Sequence, residues 1–315
     1  MPIFKIHHIT RYTYDKAVKE SVNQVRLFPY TFNSQDQEVL HHEWNITNYP
    51  DLHIYYDYWN NRVGVFNILE PHAELSIESK LVVRTTASND IFLTYSGNWE
   101  SLQMEMVDNL SLLELTGVDL IESQEEINEM VKSIFDPYKS VAEIVQSSSE
   151  YIFNNFQYIK GITDIETTVD EILQHKSGVC QDFAHVMLQV LHTMKIPSRY
   201  VSGYICPSEL GMRGEGATHA WVEAWIPGHG WAGIDPTNSL WVTNNHVKLA
   251  VGRNFTDCSP VKGTFKGPVK QSLSVYVSIG YEDGHVFEEV NKVNIHLEPP
   301  PPTAEEVAAQ QASQQ

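Results

Sequence analysis

The sequence predicts an α+β chain of 315 residues, in which an all-β, sandwich-like N-terminal domain precedes a core made of a helix packed on an antiparallel sheet. Three observations predict it. Residues 3 to about 117 break into short alternating or β-branched segments, the next stretch keeps an apolar spacing near 3.6, and alternation returns after Pro197.

The first of these regions offers strands at 4–14, 22–28, 38–46, 52–58, 62–68 and 74–85, separated by turn-prone pieces such as Asn48-Tyr49-Pro50-Asp51 and Asn60-Asn61. Residues 1–117 are therefore read as a β-rich domain. From Ile121 the texture changes. Ser123-Gln124-Glu125-Glu126 has the pattern of a capped helix start, 141–153 is helically spaced, and 167–173 supplies a short helix. A longer helix over 181–194 carries Phe183, Ala184, Met187, Leu188, Val190 and Leu191, and Pro197 stops it. Strands come next at 198–204, 217–226, 231–235, 273–280 and 286–293, with turns at Pro227-Gly228-His229-Gly230 and Glu282-Asp283-Gly284-His285. Residues 118–298 are thus a helical lead-in and core with C-terminal strands. Residues 299–315, four prolines followed by Ala, Gln, Glu and Ser, read as a disordered tail.

Composition narrows the function. A formal net charge of -19 repels phosphate backbones and anionic lipid, so neither nucleic acid nor a membrane surface is an expected partner. No stretch approaches a membrane-spanning length, and the N-terminus lacks a basic segment followed by a long apolar one. Three cysteines, Cys180, Cys206 and Cys258, suit a reducing compartment better than a disulfide framework, and the cytoplasm is the expected location. No metal site and no cofactor are expected: there is no C-x-x-C pair, Cys180 and His185 are five apart, and His7-His8 and His41-His42 each point to opposite faces of a strand.

The residues that carry chemistry lie in the second half. Ser177-Gly178-Val179-Cys180-Gln181-Asp182 puts a cysteine where a loop turns into a helix, whose free N–H groups and dipole favour a thiolate. Gly178 permits close backbone approach, Ser177 is a candidate cap, and Asp182 falls in the first turn. A lone cysteine is more often a small buried hydrophobe. In 217–225 alternation places His219, Trp221, Glu223 and Trp225 on one face, leaving the other to pack on the helix. A neutral imidazole there can take the thiol proton, although a hydrogen-bonded structural histidine fits the same pattern. Asp235, at the end of the returning segment, can accept the other ring N–H, or can merely open an Asp-Pro turn.

Together, Gly178-Val179-Cys180-Gln181-Asp182-Phe183-Ala184, Arg199-Tyr200-Val201-Ser202-Gly203-Tyr204, Thr218-His219-Ala220-Trp221-Val222-Glu223 and Gly233-Ile234-Asp235-Pro236-Thr237 resemble the bacterial branch of the transglutaminase-like superfamily, whose core is similar to papain-like cysteine peptidases. Tyr12-Thr13-Tyr14, 25–29 and 57–63 resemble the β-rich region that precedes this core, and 246–247, 252–254 and 259–263 resemble the segment after it. Cys258 departs from the acidic or aliphatic residue that the resemblance implies there. The resemblance implies a triad of Cys180 as nucleophile, His219 as base then acid, and Asp235 as its orienting partner, forming a thioester on a peptide or protein amide. The Cys180 backbone N–H is a candidate oxyanion donor, and Tyr158 is a second candidate from its place in Phe156-Gln157-Tyr158. Hydrolysis is favoured over transamidation to an amine; a catalytically silent scaffold is the third reading. No sequence feature reports the oligomeric state.

Overall fold

The computed structural model describes residues 1–32, 36–86, 97–163, 167–206, 211–215 and 217–281, together with the backbone of two short strands at 286–289 and 295–297. The turn expected at 282–285 and the tail at 299–315 lie outside the described residues. The first third folds as the alternation requires: β1 (Ile3–Val18), β2 (Ser21–Val25), β3 (Gln37–Ile46), β4 (His53–Tyr56), β5 (Arg62–Ile68) and β6 (His72–Thr85). Phe4, Ile6, Leu81 and Val83 form one apolar cluster, while Val25, Phe66, Leu75 and Ile77 form another.

Helices begin earlier than the sequence suggested. The elements α1 (Trp99–Val107) and α2 (Leu110–Glu114) precede α3 (Gln124–Ile134) and α4 (Val141–Asn155). Asn98 caps α1 by accepting the Ser101 N–H at 2.8 Å, a signal that the polar texture around it hides. Leu102 of α1 then packs in the helical core, so the boundary at 117 is corrected: residues 99–114 belong to the helical core rather than to the β domain. A capping box of Ser140 and Glu143 starts α4. Ser123 precedes α3 without a side-chain cap, its backbone N–H being taken instead by Asp170 at 2.7 Å.

The core continues through β7 (Gln157–Tyr158), α5 (Val169–His175), β8 (Ser177–Gly178) and α6 (Cys180–Thr193). An antiparallel sheet comes next, made of β9 (Ser198–Ile205), β10 (Ala217–Ile226), β11 (Gly230–Asp235), β12 (Leu240–Trp241) and β13 (His246–Gly252), in the order β12-β11-β10-β9-β13. The apolar face of α6, including Phe183, Met187, Val190 and Leu191, packs against Ala220, Val222, Ala224 and Ile226 of β10. These are the alternate positions to His219 and Glu223, as the two-residue period dictates.

After α7 (Phe255–Cys258) the chain returns to the first domain. The strand β14 (Val261–Phe265) pairs with β2, and β15 (Gln271–Tyr281) pairs with β1 from Phe4↔Tyr281 to Tyr14↔Gln271; β16 (Val286–Glu289) and β17 (Ile295–Leu297) pair with β15. Grouping residues 261–298 with the core is therefore corrected. The long edge of β1 would otherwise present unpaired N–H and C=O groups, and β15 covers it. The β domain is built from both ends of the chain, with the α+β core inserted between them.

Candidate active site

The cysteine helix starts as its local chemistry requires, with one difference. Val179 is the extended N-cap residue, and Asp182 reaches back to accept its N–H at 2.7 Å while also accepting the Thr163 hydroxyl at 2.7 Å. A Cβ on residue 178 would stand 2.5 Å from Asp182 Oδ2, so glycine there is what lets this carboxylate lie against the turn. Ser177 is not the cap; its hydroxyl bonds the His175 carbonyl at 3.2 Å. Cys180 is consequently the first residue of α6, and its N–H has no carbonyl one turn back within the helix. Cys180 is half-buried, whereas burial encloses Cys206 and Cys258 and pushes both thiols well above their ordinary range.

Strand β10 delivers His219, 2% exposed, and β11 ends on the fully buried Asp235. His219 Nε2 and Asp235 Oδ2 are 2.8 Å apart. The carboxylate also receives the Thr237 N–H on Oδ1 at 2.9 Å, and Asn238 Nδ2 at 2.7 Å and His246 Nε2 at 3.5 Å on Oδ2. Burial alone would raise the Asp235 pKa; the facing His219 and His246 rings overcome it and hold the carboxyl far below the usual range. Burial likewise opposes protonation of His219, but Asp235 and then Cys180 reverse that and push its pKa well up.

Because Nε2 is committed to Asp235, Nδ1 is the ring nitrogen left for Cys180. It is buried and makes no hydrogen bond. The thiol beside it contributes to the ring's raised proton affinity. Tyr158 borders the same space: β7 pairs with β8, placing Tyr158 opposite Gly178, and its hydroxyl lies 3.5 Å from where a Cβ on Gly214 would sit, itself 3.2 Å from His219 Nδ1. Cys180, His219, Asp235 and Tyr158, singled out by the sequence, thus converge on one corner of the core.

The sequence profile of the transglutaminase-like superfamily matches residues 128–236, and that of the bacterial transglutaminase-like N-terminal region matches residues 4–84. The protein ML0607 of Mycobacterium leprae is 32% identical over 281 residues, spanning 87% of this chain and 97% of that protein. The chain belongs to the transglutaminase-like superfamily. A solved structure described as a proposed cysteine protease of Cytophaga hutchinsonii shares its fold with a TM-score of 0.71 at 19% identity, covering 93% of this chain and 96% of that one. A protein-glutamine gamma-glutamyltransferase of Pseudomonas aeruginosa is 39% identical over 74 residues, 22% of this chain and 11% of that protein. Superfamily membership and the Cys180-His219-Asp235 corner support a cysteine-dependent enzyme.

Two residues of this transglutaminase-like site escaped the sequence reading. Asn238 lies three positions beyond Asp235, a spacing that a turn brings back onto its own carboxylate. His246 comes from the far strand, β13, and no spacing along the chain reports it. Its Nδ1 faces the Thr243 N–H at 3.3 Å, which assigns its proton to Nε2 and aims it at Asp235; burial lowers its pKa, keeping the ring neutral. His219, Asp235 and His246 place potential ligand atoms within 4.8 Å of one another, a grouping invisible to motif spacing. Their facing atoms are already joined by N–H to carboxylate hydrogen bonds, an arrangement a cation would have to displace.

Proposed function

We propose that this chain is a cysteine-dependent acyl-transfer enzyme acting on peptide or side-chain amides of a peptide or protein, with water as its principal acceptor. The observation that carries the reading is the state of His219: one ring nitrogen is locked on a buried carboxylate while the other faces Cys180 without a hydrogen bond. A structural histidine would satisfy both. In the proposed cycle His219 Nδ1 takes the Cys180 proton and the thiolate attacks the amide carbonyl. The Cys180 N–H, free of the helix ladder, faces the developing oxyanion, with the Tyr158 hydroxyl as the second donor. Collapse breaks the C–N bond, the amine leaves with the proton from Nδ1, and a thioester remains. Water then gives a proton to Nδ1, its hydroxide oxygen bonds the acyl carbon, and the thiol is restored as the acid departs.

Transamidation is the second reading, favoured by the 74-residue match to the Pseudomonas glutamyltransferase. The two share every step up to the thioester. Incubation with a panel of peptide amides and peptide-amide electrophiles, followed by intact mass, tests the common part: an adduct on Cys180 supports the reading, and a folded protein that forms none against a broad panel would make this a scaffold. Partition of the acyl-enzyme between water and added primary amine then separates hydrolysis from transamidation. We place the protein in a reducing compartment, since its three cysteines are all unpaired.

A further inference from the structure

Four of the segments singled out in the sequence, 25–29, 57–63, 252–254 and 259–263, contribute residues to one cleft of about 550 Å³ on the seam between the β domain and the core. None of its lining residues belongs to the triad. Two of its cations come from one face of the β2-β14 pair: Lys262 stands opposite Gln24, two residues before Arg26. The Arg26 side chain is only 10% exposed, yet its guanidinium makes a single hydrogen bond, from Nε to Asp57 Oδ2 at 3.3 Å, and Nη1 is buried with none. A fork of five N–H donors is left mostly unused. Lys262 is half-buried, and its ammonium makes no ion pair among the described residues. Burial, and then the neighbouring Arg26, pull its pKa below the ordinary lysine range.

The carboxylates of the cleft are already committed. Asp57 accepts the Trp59 and Asn61 N–H groups on Oδ1 at 3.0 and 2.9 Å, and Asn61 Nδ2 on Oδ2 at 3.1 Å, besides Arg26. Asp257 is gripped by Arg253, Nε to Oδ2 at 2.9 Å and Nη2 to Oδ1 at 3.2 Å, and also takes the Trp59 indole N–H at 3.1 Å. Exposed Glu114 accepts the Tyr58 hydroxyl at 2.7 Å. With Arg26 set against Asp57 and Arg253 against Asp257, Lys262 remains as one positive charge in excess, beside a guanidinium short of acceptors. We infer that the cleft binds a monocarboxylate with an apolar body, its carboxylate received by Arg26 and Lys262 and its body lying against Trp59. One carboxylate matches one surplus charge and suits a planar fork, whereas a phosphate dianion would be half compensated. The volume is that of a small-ligand site rather than of a bare ion, and the Tyr58 and Trp59 rings, edge to face at 4.8 Å, supply an apolar wall. The inference does not depend on the role of Cys180.

The test is calorimetric titration of the intact chain at fixed ionic strength. The probes are phenylacetate, indoleacetate and N-acetylphenylalanine, with phenylacetamide, which keeps the body and loses the charge, and inorganic phosphate as comparisons. One of the carboxylates should bind saturably, one molecule per chain, and about tenfold more tightly than either comparison, the effect of one charge-assisted hydrogen bond. Lys262→Gln, at a half-buried position, should weaken that binding by about tenfold, and Arg26→Gln by more; if Arg26→Gln does not fold, Lys262→Gln decides. Cys180→Ala should bind as the wild type does. Tightest binding of N-acetylphenylalanine makes the source a peptide C-terminus, and of phenylacetate or indoleacetate a small acid; both support the inference. It is overturned by the absence of saturable carboxylate binding, by equal binding of phenylacetamide, by a preference for phosphate, by an affinity that Lys262→Gln leaves unmoved, or by a loss in Cys180→Ala, which would place the ligand at the triad.

Discussion

His219 and Glu223 stand on the same face of β10, both buried among polar partners, and the two surroundings are built to opposite ends. Around Glu223 every charge is matched: Arg199 approaches Oε2 at 2.6 Å and Lys248 approaches Oε1 at 2.5 Å, with the guanidinium laid over the Trp231 ring at 4.3 Å. Lys248 is in turn clasped by Gln37 of the β domain, which accepts its N–H at 2.9 Å and donates to its carbonyl at 2.6 Å. Burial would raise the Glu223 pKa, yet Lys248 and Arg199 bring it down to about 2. Around His219 the carboxylate partner is saturated, but Nδ1 is left open. A filled cluster joins the domains; a cluster with one reactive atom withheld is suited to moving a proton.

If that contrast is right, damage to the two clusters should separate activity from stability. The largest loss belongs to the proposed nucleophile. Cys180→Ala should abolish amide turnover and adduct formation, a fall of about 10⁶-fold in kcat on the precedent of other nucleophile–base pairs, with circular dichroism and melting temperature unchanged. Retained turnover in this variant would dismiss Cys180 as nucleophile. Asp235→Asn comes next. It should lower kcat by about 10³ to 10⁴-fold by leaving the imidazole in the wrong tautomer, less than loss of the thiol because the nucleophile and oxyanion donors remain.

Glu223→Gln should do the reverse. Removing the carboxylate leaves two cations in a buried site, costing about 3 kcal/mol of unfolding free energy by chemical denaturation, while Cys180 alkylation in the folded protein stays at the wild-type rate. The pH dependence comes from the same pair. Because the folded pKa, about 2, lies below the ordinary 4.5, this contribution is fully present above about pH 5 and is lost as pH falls toward 2. Wild-type stability should therefore drop over that window, and Glu223→Gln should flatten the drop. An acid profile identical in the two proteins would rule out Glu223 as its source.

The corner proposed to move a proton was more legible than the structural one, for a physical reason. Cys180, His219 and Asp235 each announce themselves by where they fall on a local element: a helix start, an alternating strand, a strand end before a proline. The Arg199-Glu223-Lys248 cluster is assembled across three strands, and Arg199 and Glu223 were legible only as members of longer motifs. His246 was hidden in the same way. The β strands of the first third were readable from alternation, but β15 closing on β1 was not, because pairing between residues 4 and 281 leaves no mark on either segment. The early helix α1 was missed because its cap, Asn98, opens a stretch with only one buried apolar residue.

His246 offers the finest test of the comparison, since it belongs to neither extreme. It donates to Asp235 Oδ2 at 3.5 Å, against 2.8 Å for His219 and 2.7 Å for Asn238, and its neutral ring brings no charge. Removing so long a bond leaves the carboxylate with three donors, the His219 ring, Asn238 and the Thr237 N–H. His246→Gln should therefore reduce kcat only by about tenfold, or about 1.4 kcal/mol of barrier, with KM unchanged because the ring meets Asp235 and Thr243 rather than the Nδ1 side of His219. Combining it with Asn238→Ala should cost more than the sum of the two single changes, as the carboxylate then keeps only His219 and one backbone N–H to fix its orientation. A single-variant loss as deep as that of Asp235→Asn would move His246 into the proton-transfer machinery itself; strict additivity would mean that it holds β13 in place without steering Asp235 at all.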